Sequence, residues 1–291
     1  MEASRKIPEP QTVPATDRLI PNRVPWWAII LFATGALLIY LILADDNYQQ
    51  TFFYLQVGIA TTLRITLIAF PIATVIGLLV GLGRTSKNQV FFTISTLYVE
   101  VVRGIPLVVL LLYFAFGIVP VLIELLNRLG EWGLTWASQA FMIQFFSGLA
   151  DPFLIRSVPM EMRAIVALAI GYGAYEAEVF RAGIQSIDRG QVEAARSLGM
   201  NYLQTMRFII LPQAVRRVLP PLGNDFIALL KDSSLVTVLA VNELTQLARL
   251  RRSSTFRVME TFNVVAFLYL SVTLMLSAGV RALENKLKIE E

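Results

Sequence analysis

Long apolar stretches without charge recur along the chain, and they dominate its pattern of hydrophobic and polar positions. A helix that crosses a membrane needs about 20 consecutive, mostly apolar residues. Because lipid offers no partner for an unpaired backbone group, such stretches are predicted to be helical. The fold class is therefore predicted to be an all-α integral membrane protein with about six transmembrane helices, over residues 26–43, 65–83, 104–123, 164–175 with a helical continuation, 220–242 and 261–280.

Composition supports this prediction and narrows the function. Apolar residues make up 56% of the chain and charged residues 16%, against about 25% charged in soluble domains. The chain has no histidine and no cysteine, which excludes a zinc site with the usual ligands, a thiolate nucleophile, a disulfide framework and a histidine general base. Catalysis by carboxylates or by a lone Ser or Lys remains open on composition alone, but it is disfavoured, and we expect no catalytic residues, no metal site and no bound cofactor.

The distribution of Lys and Arg predicts the orientation of the chain. Residues 1–25 are rich in proline and basic, which predicts a disordered cytoplasmic tail. Residues 26–44 are predicted to be an uncleaved, extra N-terminal transmembrane helix. The acidic loop 44–56 should lie outside, and the basic segments that follow Gly83 and the chain's C-terminal basic residues should lie in the cytoplasm.

Two segments leave alternatives open. The arginines between 249 and 257 would lie outside if the preceding span exits, against the positive-inside rule. The alternative is that 213–242 is re-entrant. We prefer a violation of the positive-inside rule at these arginines, because it keeps the basic C-terminus inside.

An external insertion is predicted at about 117–162. Its uncharged part, 132–150, is interpreted as an amphipathic helix at the outer surface rather than a spanning hairpin.

A cytoplasmic loop at about 184–212 carries the most specific sequence pattern. Residues 191–198 favour a helix, Gly199 is placed to end it in a left-handed cap, and Asn201 can cap a second short helix. Pro212 suits the first turn of the following span. Because alanine side chains are small, Ala194 and Ala195 would allow the surface of a partner to approach the loop closely.

This loop resembles the signature loop of permease subunits of ATP-binding cassette importers. The matching positions are Glu193, Ala194, Ala195, Gly199, Ile209, Leu211 and Pro212. Further segments look like the polar amino acid (His/Glu/Gln/Arg/opine) branch of that family: 98–107, 175–183, 190–191, 211–214, 220–224 and 230–235. The resemblance implies a permease domain over 57–285 with a five-helix core, and the insertion is similar to that of members that import acidic or general L-amino acids.

The resemblance also implies the partners. These are an ATPase subunit dimer, a second permease subunit that is identical or different, an external substrate-binding protein, a polar amino acid and the lipid bilayer, with no nucleic acid. ATP and Mg would be bound by the ATPase, since this chain has no Gly-Lys dipeptide and hence no Walker A loop. The location would be the inner (plasma) membrane of a bacterium. The residues implied in ATPase coupling are Gly190, Gln191, Glu193, Ala194, Ala195 and Gly199.

Polar residues inside apolar spans predict a substrate pathway, because ionisable groups at membrane depth usually face a cavity or each other. The candidates are Glu100, Arg103, Asn224, Asp225, Lys231, Asp232, Ser233 and Ser234. A zwitterion needs an anionic group for its ammonium, for which Asp225 is suited, and donors for its carboxylate. A structural ion pair of Lys231 with either aspartate is the alternative. Glu100 with Arg103, and Glu178 with Arg181, are spaced to pair on one helix face.

Two other functions remain as alternatives to this interpretation. One is an importer permease for another small solute, and the other is a secondary transporter driven by an ion gradient. Co-purification separates them, because an ATP-driven importer should bring down an ATPase subunit and a second permease.

Overall fold

The computed structural model describes residues 26–137, 139–150 and 158–287. The tail at 1–25 and residues 151–157 of the predicted insertion lie outside the described residues. Within the described ranges the regular structure is helical and no strand is present. The predicted all-α membrane architecture is confirmed at this level.

The helices follow one another with short connections. In chain order they are α1 (Trp26–Ala44), α2 (Asp46–Arg84), α3 (Gln89–Gly104), α4 (Leu107–Trp136), α5 (Ala140–Leu149), α6 (Met160–Gln185), α7 (Arg189–Ser197), α8 (residues 202–232), α9 (Leu244–Thr255) and α10 (Val258–Leu287). A π-helical turn, Tyr113–Ile118, lies within α4, and a second, Met206–Ile210, lies within α8. A 3₁₀ segment, Ser233–Leu239, follows α8.

The pairing of α2 with α6 forms the centre of the protein. A Cβ on Gly77 would lie 2.7 Å from the Cβ of Glu176, and one on Gly81 would lie 2.8 Å from the Cβ of Phe180. Only glycine permits so close an approach of the two helices, as in other small-residue contacts between membrane helices. The Gly-x-x-x-Gly pattern therefore serves packing within the chain.

Helices α8, α9 and α10 pack around this central pair, while α1 lies at the periphery. The largest core cluster joins side chains from α2, α4, α6, α8 and the 3₁₀ segment, among them Ile65, Leu111, Leu168, Leu229 and Val236. In contrast, Ile42 is the one buried residue of α1 among those described. Most of the α1 surface is thus free to face lipid.

Four helices of the described chain are long and apolar enough to cross a membrane: Trp26–Ala44, Asp46–Arg84, Leu107–Trp136 and Val258–Leu283. The other two predicted spans correspond to α6 and α8, which are long but carry more charged residues. The membrane architecture is confirmed, and the number of about six spans stays a prediction.

Two predicted boundaries before the insertion are wrong. Residues 44–56 are not a loop, because only Asp45 interrupts the helices and its side chain caps α2 by accepting from the N–H groups of Asn47 and Tyr48. The third span begins at Leu107 instead of Gly104. Ile105 precedes a proline and has the extended backbone that this position favours, so the chain breaks there.

Two later boundaries also differ. The predicted helix over 132–150 is divided, because residues up to Trp136 complete α4 and α5 then folds back on it. Gly130 and Gly133 allow this contact with Leu149 and Phe146. The predicted span 220–242 ends at Asp232, where the 3₁₀ segment begins.

Candidate functional site

The loop between α6 and α8 has the local structure that the sequence predicts. Helix α7 ends at Ser197, and Gly199 follows its C-cap with a left-handed φ of +79°. The N–H of Met200 donates to the carbonyl of Ala195 at 3.1 Å. Asn201 then forms a capping box with Gln204. The glycine cap and the asparagine cap are therefore confirmed.

The loop differs from the prediction after Asn201. Residues 202–232 form one continuous helix, so the second helix of the loop does not end before Pro212. The N–H of Leu211 donates to the carbonyl of Met206, five residues back. This wider turn lies just before Pro212, whose missing N–H and bulky ring disfavour a regular α turn.

Contacts at its base fix the loop to α8. Gln191 accepts a hydrogen bond from Gln213 at 2.6 Å, and Arg217 donates to the carbonyl of Ser186. A small apolar cluster of Ile187, Met206 and Ile210 fills the space between them. A force on the loop would therefore reach α8 through both polar and apolar contacts.

The exposed end of the loop combines polar and apolar groups. Gly190, Gln191, Glu193, Ala194 and Gly199 are exposed, as predicted for an accessible surface. The prediction that Ala195 contributes to this accessible surface is wrong, because its side chain is buried.

Sequence reasoning missed two apolar residues of this end. Leu198 is 84% exposed and Leu203 is 75% exposed, one on each side of Gly199. Their signal was an apolar side chain in an otherwise polar loop, and solvated leucines of this kind mark contact sites when they cluster.

An ion network joins α2, α3 and α6. Glu178 pairs with Arg84 of α2 and with Arg181, the latter at 2.7 Å, and lies 3.7 Å from Arg103 of α3. Glu100 lies 3.8 Å from Arg84. The predicted Glu178–Arg181 pair is confirmed, whereas Glu100 and Arg103 find their partners on other helices instead of each other.

The polar residues of α8 divide between two faces. Asn224 and Lys231 are exposed, while Asp225 and Asp232 are less exposed and turn toward other helices. Asp232 accepts a hydrogen bond from the hydroxyl of Tyr172 at 2.7 Å. Lys231 forms no ion pair with either aspartate within the described residues, so the alternative of a structural ion pair is wrong.

The two serines after α8 differ in their surroundings. Ser233 is fully buried, and its hydroxyl donates to the carbonyl of Leu230 at 2.7 Å. It is therefore already satisfied by the backbone. Ser234 is half-buried.

Buried carboxylate oxygens without a hydrogen-bond partner lie on both α6 and α8. Oδ2 of Asp225 and both carboxylate oxygens of Glu176 accept no hydrogen bond of good geometry among the described residues, because the Thr74 hydroxyl that interacts with Glu176 donates to the carbonyl of Phe70. Glu176 has no exposed surface, and sequence reasoning did not include it among the candidates. The sequence feature that could have indicated Glu176 is its position two residues before Glu178 in a mostly apolar helix. Residues at this spacing face different sides of a helix, so one of the two carboxylates had to face away from the ion network. Such groups are costly unless they meet a cation or a donor.

The chain is similar to transport proteins of bacterial membranes. Residues 73–289 match the family described as binding-protein-dependent transport system inner membrane component. The glutamine transport system permease protein GlnP of Escherichia coli K12 is 35% identical over 232 residues, 80% of this chain and 92% of its own length. The probable glutamine ABC transporter permease protein GlnM of Bacillus subtilis is 37% identical over 243 residues, covering 84% and 95% of the two chains.

Solved structures agree with these relatives. A chain from the crystal structure of an amino acid ABC transporter with histidines has a TM-score of 0.65 and 33% identity, covering 84% of this chain and 98% of its own. The MetNI methionine ABC transporter in an inward-facing conformation has a TM-score of 0.60 at 18% identity, covering 81% and 97% of the two chains. The second likeness shows the fold alone.

Proposed function

The chain belongs to the family of binding-protein-dependent transport system inner membrane components and is a permease of the amino acid ABC importers, and we propose that it moves polar L-amino acids. An external binding protein would deliver the substrate, and a separate ATPase dimer would bind ATP and Mg. A second permease subunit completes the proposed assembly in a bacterial inner membrane, with the N-terminus in the cytoplasm.

The names of the relatives support this substrate class. Two of them are named for glutamine, and the nopaline transport system permease protein NocM of Agrobacterium fabrum is 32% identical over 235 residues. These substrates share an amino acid backbone with a polar side chain. Acidic or general L-amino acids remain within the proposal, as does an importer of another small solute as the second candidate.

The exposed end of the 184–212 loop is the observation that carries the coupling proposal. Leu198 and Leu203 expose apolar surface beside Glu193 and Ala194, on a loop that is fixed at its base to α8. We propose that the two leucines enter an apolar groove on the ATPase and that Glu193 makes a polar contact at its rim. Gly199 would set the angle between α7 and α8.

The coupling experiment uses the complete importer in proteoliposomes. We expect the Leu198→Ser, Leu203→Ser double variant to assemble in the membrane but to lose most of the ATPase stimulation caused by loaded binding protein. Lys87→Ser, in the other exposed loop that we predict to be cytoplasmic, is the control and should keep normal stimulation. Unchanged stimulation in the double variant would refute this docking surface.

Gly199 provides an independent test of the loop geometry. Gly199→Val forces a β-branched residue into a left-handed backbone, which such residues strongly disfavour. We expect insertion and substrate binding by the external protein to persist while coupling is lost. Nothing lies within 4 Å of the position of a new Cβ, so a clash would not explain the result.

The unpartnered carboxylates support a proposal for the translocation pathway. Asp225 on α8 and Glu176 on α6 have buried carboxylate oxygens that accept no hydrogen bond. The ammonium group of an amino acid substrate would donate hydrogen bonds to these oxygens. Asp232, held by Tyr172, would extend the polar surface, with Ser234 as a candidate donor to the substrate carboxylate. Asn224, Lys231, Glu100 and Arg103 lie on other surfaces, and Ser233 is occupied, so they are weaker candidates.

Transport assays test this proposal directly. Asp225→Asn should lower the affinity or rate of amino acid uptake while basal ATPase activity persists. The control, Asp46→Asn, makes the same substitution at an exposed aspartate of α2 outside the candidate pathway and should leave uptake near normal. Equal uptake by Asp225→Asn and the unsubstituted chain would favour a purely structural role for Asp225.

A further inference from the structure

A buried arginine lies at the start of helix α6, where the predicted external insertion rejoins the core. Arg163 is 6% exposed and lies in the first turn of a helix that begins at Met160. A cation at this end of a helix opposes the helix dipole, and a buried cation needs acceptors around it. Arg163 belongs neither to the ion network around Glu178 nor to the candidate pathway, so its position requires another explanation.

The π-helical turn of α4 leaves the carbonyl of Ala115 without a donor from its own helix. The N–H of Val119, which would serve this carbonyl in a regular α-helix, donates instead to the carbonyl of Phe114, five residues back. The next residue, Pro120, has no N–H. Nη1 of Arg163 donates to the Ala115 carbonyl at 2.9 Å. The arginine of α6 therefore replaces a hydrogen bond that α4 cannot make for itself.

The same guanidinium group also binds the chain on its way back from the insertion. Nε of Arg163 donates to the carbonyl of Val158 at 3.1 Å, two residues before α6 begins. Ala115 lies before the insertion and Val158 lies at its end. The planar, forked guanidinium can serve two carbonyls in a fixed geometry, which the single ammonium group of a lysine cannot do. One side chain thus joins the segment that leaves the core to the segment that returns.

Beyond this point the insertion packs mainly on itself. After its π-helical turn α4 continues to Trp136 and contacts chiefly α5, and Gly130 and Gly133 allow the two helices to approach closely. We call residues 119–149 the hairpin, and the pair of segments at Ala115 and Val158 its neck. Because the hairpin has few contacts with the core, its direction relative to the core must be set at the neck.

We infer that Arg163 is a positioning residue, which fixes the direction of the hairpin on α6 by closing its neck. A π-helical turn within an α-helix often marks a functional position, and here it supplies one of the two carbonyls that the arginine holds. Helix α6 leads from the neck to the 184–212 loop without interruption. The hairpin and the loop are therefore held at opposite ends of one helix, and a movement of α6 carries both.

Distances between two spin labels measure the direction of the hairpin in the complete importer in nanodiscs. The chain has no cysteine, so Thr135→Cys on the hairpin and Gln50→Cys on α2, both exposed positions, give its only labels. Dilution with unlabelled chain restricts the measurement to distances within one chain. We expect one narrow distance distribution, which Arg163→Gln should lose. The matched control Arg128→Gln breaks the exposed pair with Glu124 inside the hairpin and should keep the narrow distribution.

A second variant separates positioning from the satisfaction of a buried carbonyl. Pro120→Ala, added to Arg163→Gln, returns a backbone N–H for the Ala115 carbonyl but not the link to Val158. Because an unpaired buried carbonyl is costly, we expect this addition to raise the SDS fraction at which the protein unfolds, while the distance distribution stays broad. Pro120→Ala alone should keep the narrow distribution, since Arg163 still joins both sides of the neck.

Three results would overturn the inference. A narrow distribution in Arg163→Gln would show that other contacts hold the hairpin. Recovery of the narrow distribution together with stability in the double variant would show that Arg163 only satisfies a carbonyl. A broad distribution in Pro120→Ala alone would show that the proline sets the direction. Uptake by the unsubstituted importer, measured on the same preparation, tests the proposed function separately, because its absence would contradict that function without changing the distances.

Discussion

Replacement of the two glycines between α2 and α6 should destabilise the protein far more than the same replacement elsewhere. In the double variant Gly77→Ala, Gly81→Ala, the new Cβ atoms would lie 2.7 Å from the Cβ of Glu176 and 2.8 Å from the Cβ of Phe180. Both contacts are shorter than real Cβ atoms tolerate. The nearest atoms are backbone or Cβ atoms and cannot rotate away, so the helices must separate.

The size of the effect follows from two opposing contributions. Overpacking costs about 1–3 kcal/mol at each site, or about 2–6 kcal/mol for the pair. Alanine also improves helix propensity by about 1 kcal/mol per site. The control is Gly35→Ala, Gly279→Ala, two helix positions with nothing within 4 Å of a new Cβ, which gains the propensity without the clash. The two double variants should therefore differ by about 2–6 kcal/mol.

Unfolding in mixed detergent micelles, followed by circular dichroism over increasing SDS, measures this difference. The Gly77, Gly81 variant should lose helicity at a clearly lower SDS fraction than the control, which should match or exceed the unsubstituted chain. If the two variants unfold together, the close approach of α2 to α6 is not a stabilising contact and the reasoning is refuted.

Two further predictions concern charged groups. The backbone N–H groups of Tyr48 and Asn47 lower the pKa of Asp45, so its capping of α2 is complete above the unfolded value of about 4 and is lost as pH falls through the lower folded pKa. Hydrogen exchange should thus show the first turn of α2 opening in acid, and at neutral pH in Asp45→Ala but not in Asp45→Asn. Glu178→Gln should lower the free energy of unfolding in SDS by about 1–3 kcal/mol, less than the loss of a fully buried pair, because the Glu178 side chain is 21% exposed. The control Glu124→Gln removes one partner of an exposed pair and should cost about 0.3–0.5 kcal/mol. Equal losses in the two variants would count against a stabilising network around Glu178.

Local sequence signals predicted the loop between α6 and α8 well. Gly199 and Asn201 took the cap conformations expected of them, because a cap depends on the residues within one turn. The run of apolar residues likewise predicted the membrane architecture, since the need to satisfy the backbone in lipid is general.

Predictions that depended on partners distant in sequence were less successful. Glu100 and Arg103 are suitably spaced to pair, yet Arg84 and Glu178 from other helices compete for them. The local pattern around Glu176 and Leu198 marks each of them as unusual, but whether each side chain is buried or exposed depends on which helices pack together. The helix boundaries at Asp45 and Ile105 have local causes instead, a side-chain cap and a following proline, which the run of apolar residues does not reveal.

Helices α6 and α8 connect the loop to the candidate pathway. The loop is fixed to α8 by the Gln191–Gln213 hydrogen bond and continues directly from the end of α6. The same two helices carry Glu176 and Asp225, the buried carboxylates without partners. A displacement of the loop would therefore be transmitted along continuous helix to both groups, while the glycine contact holds α6 against α2. We propose that such a displacement changes the distance between the carboxylates without unfolding a span, as a pathway that opens alternately to each side would require.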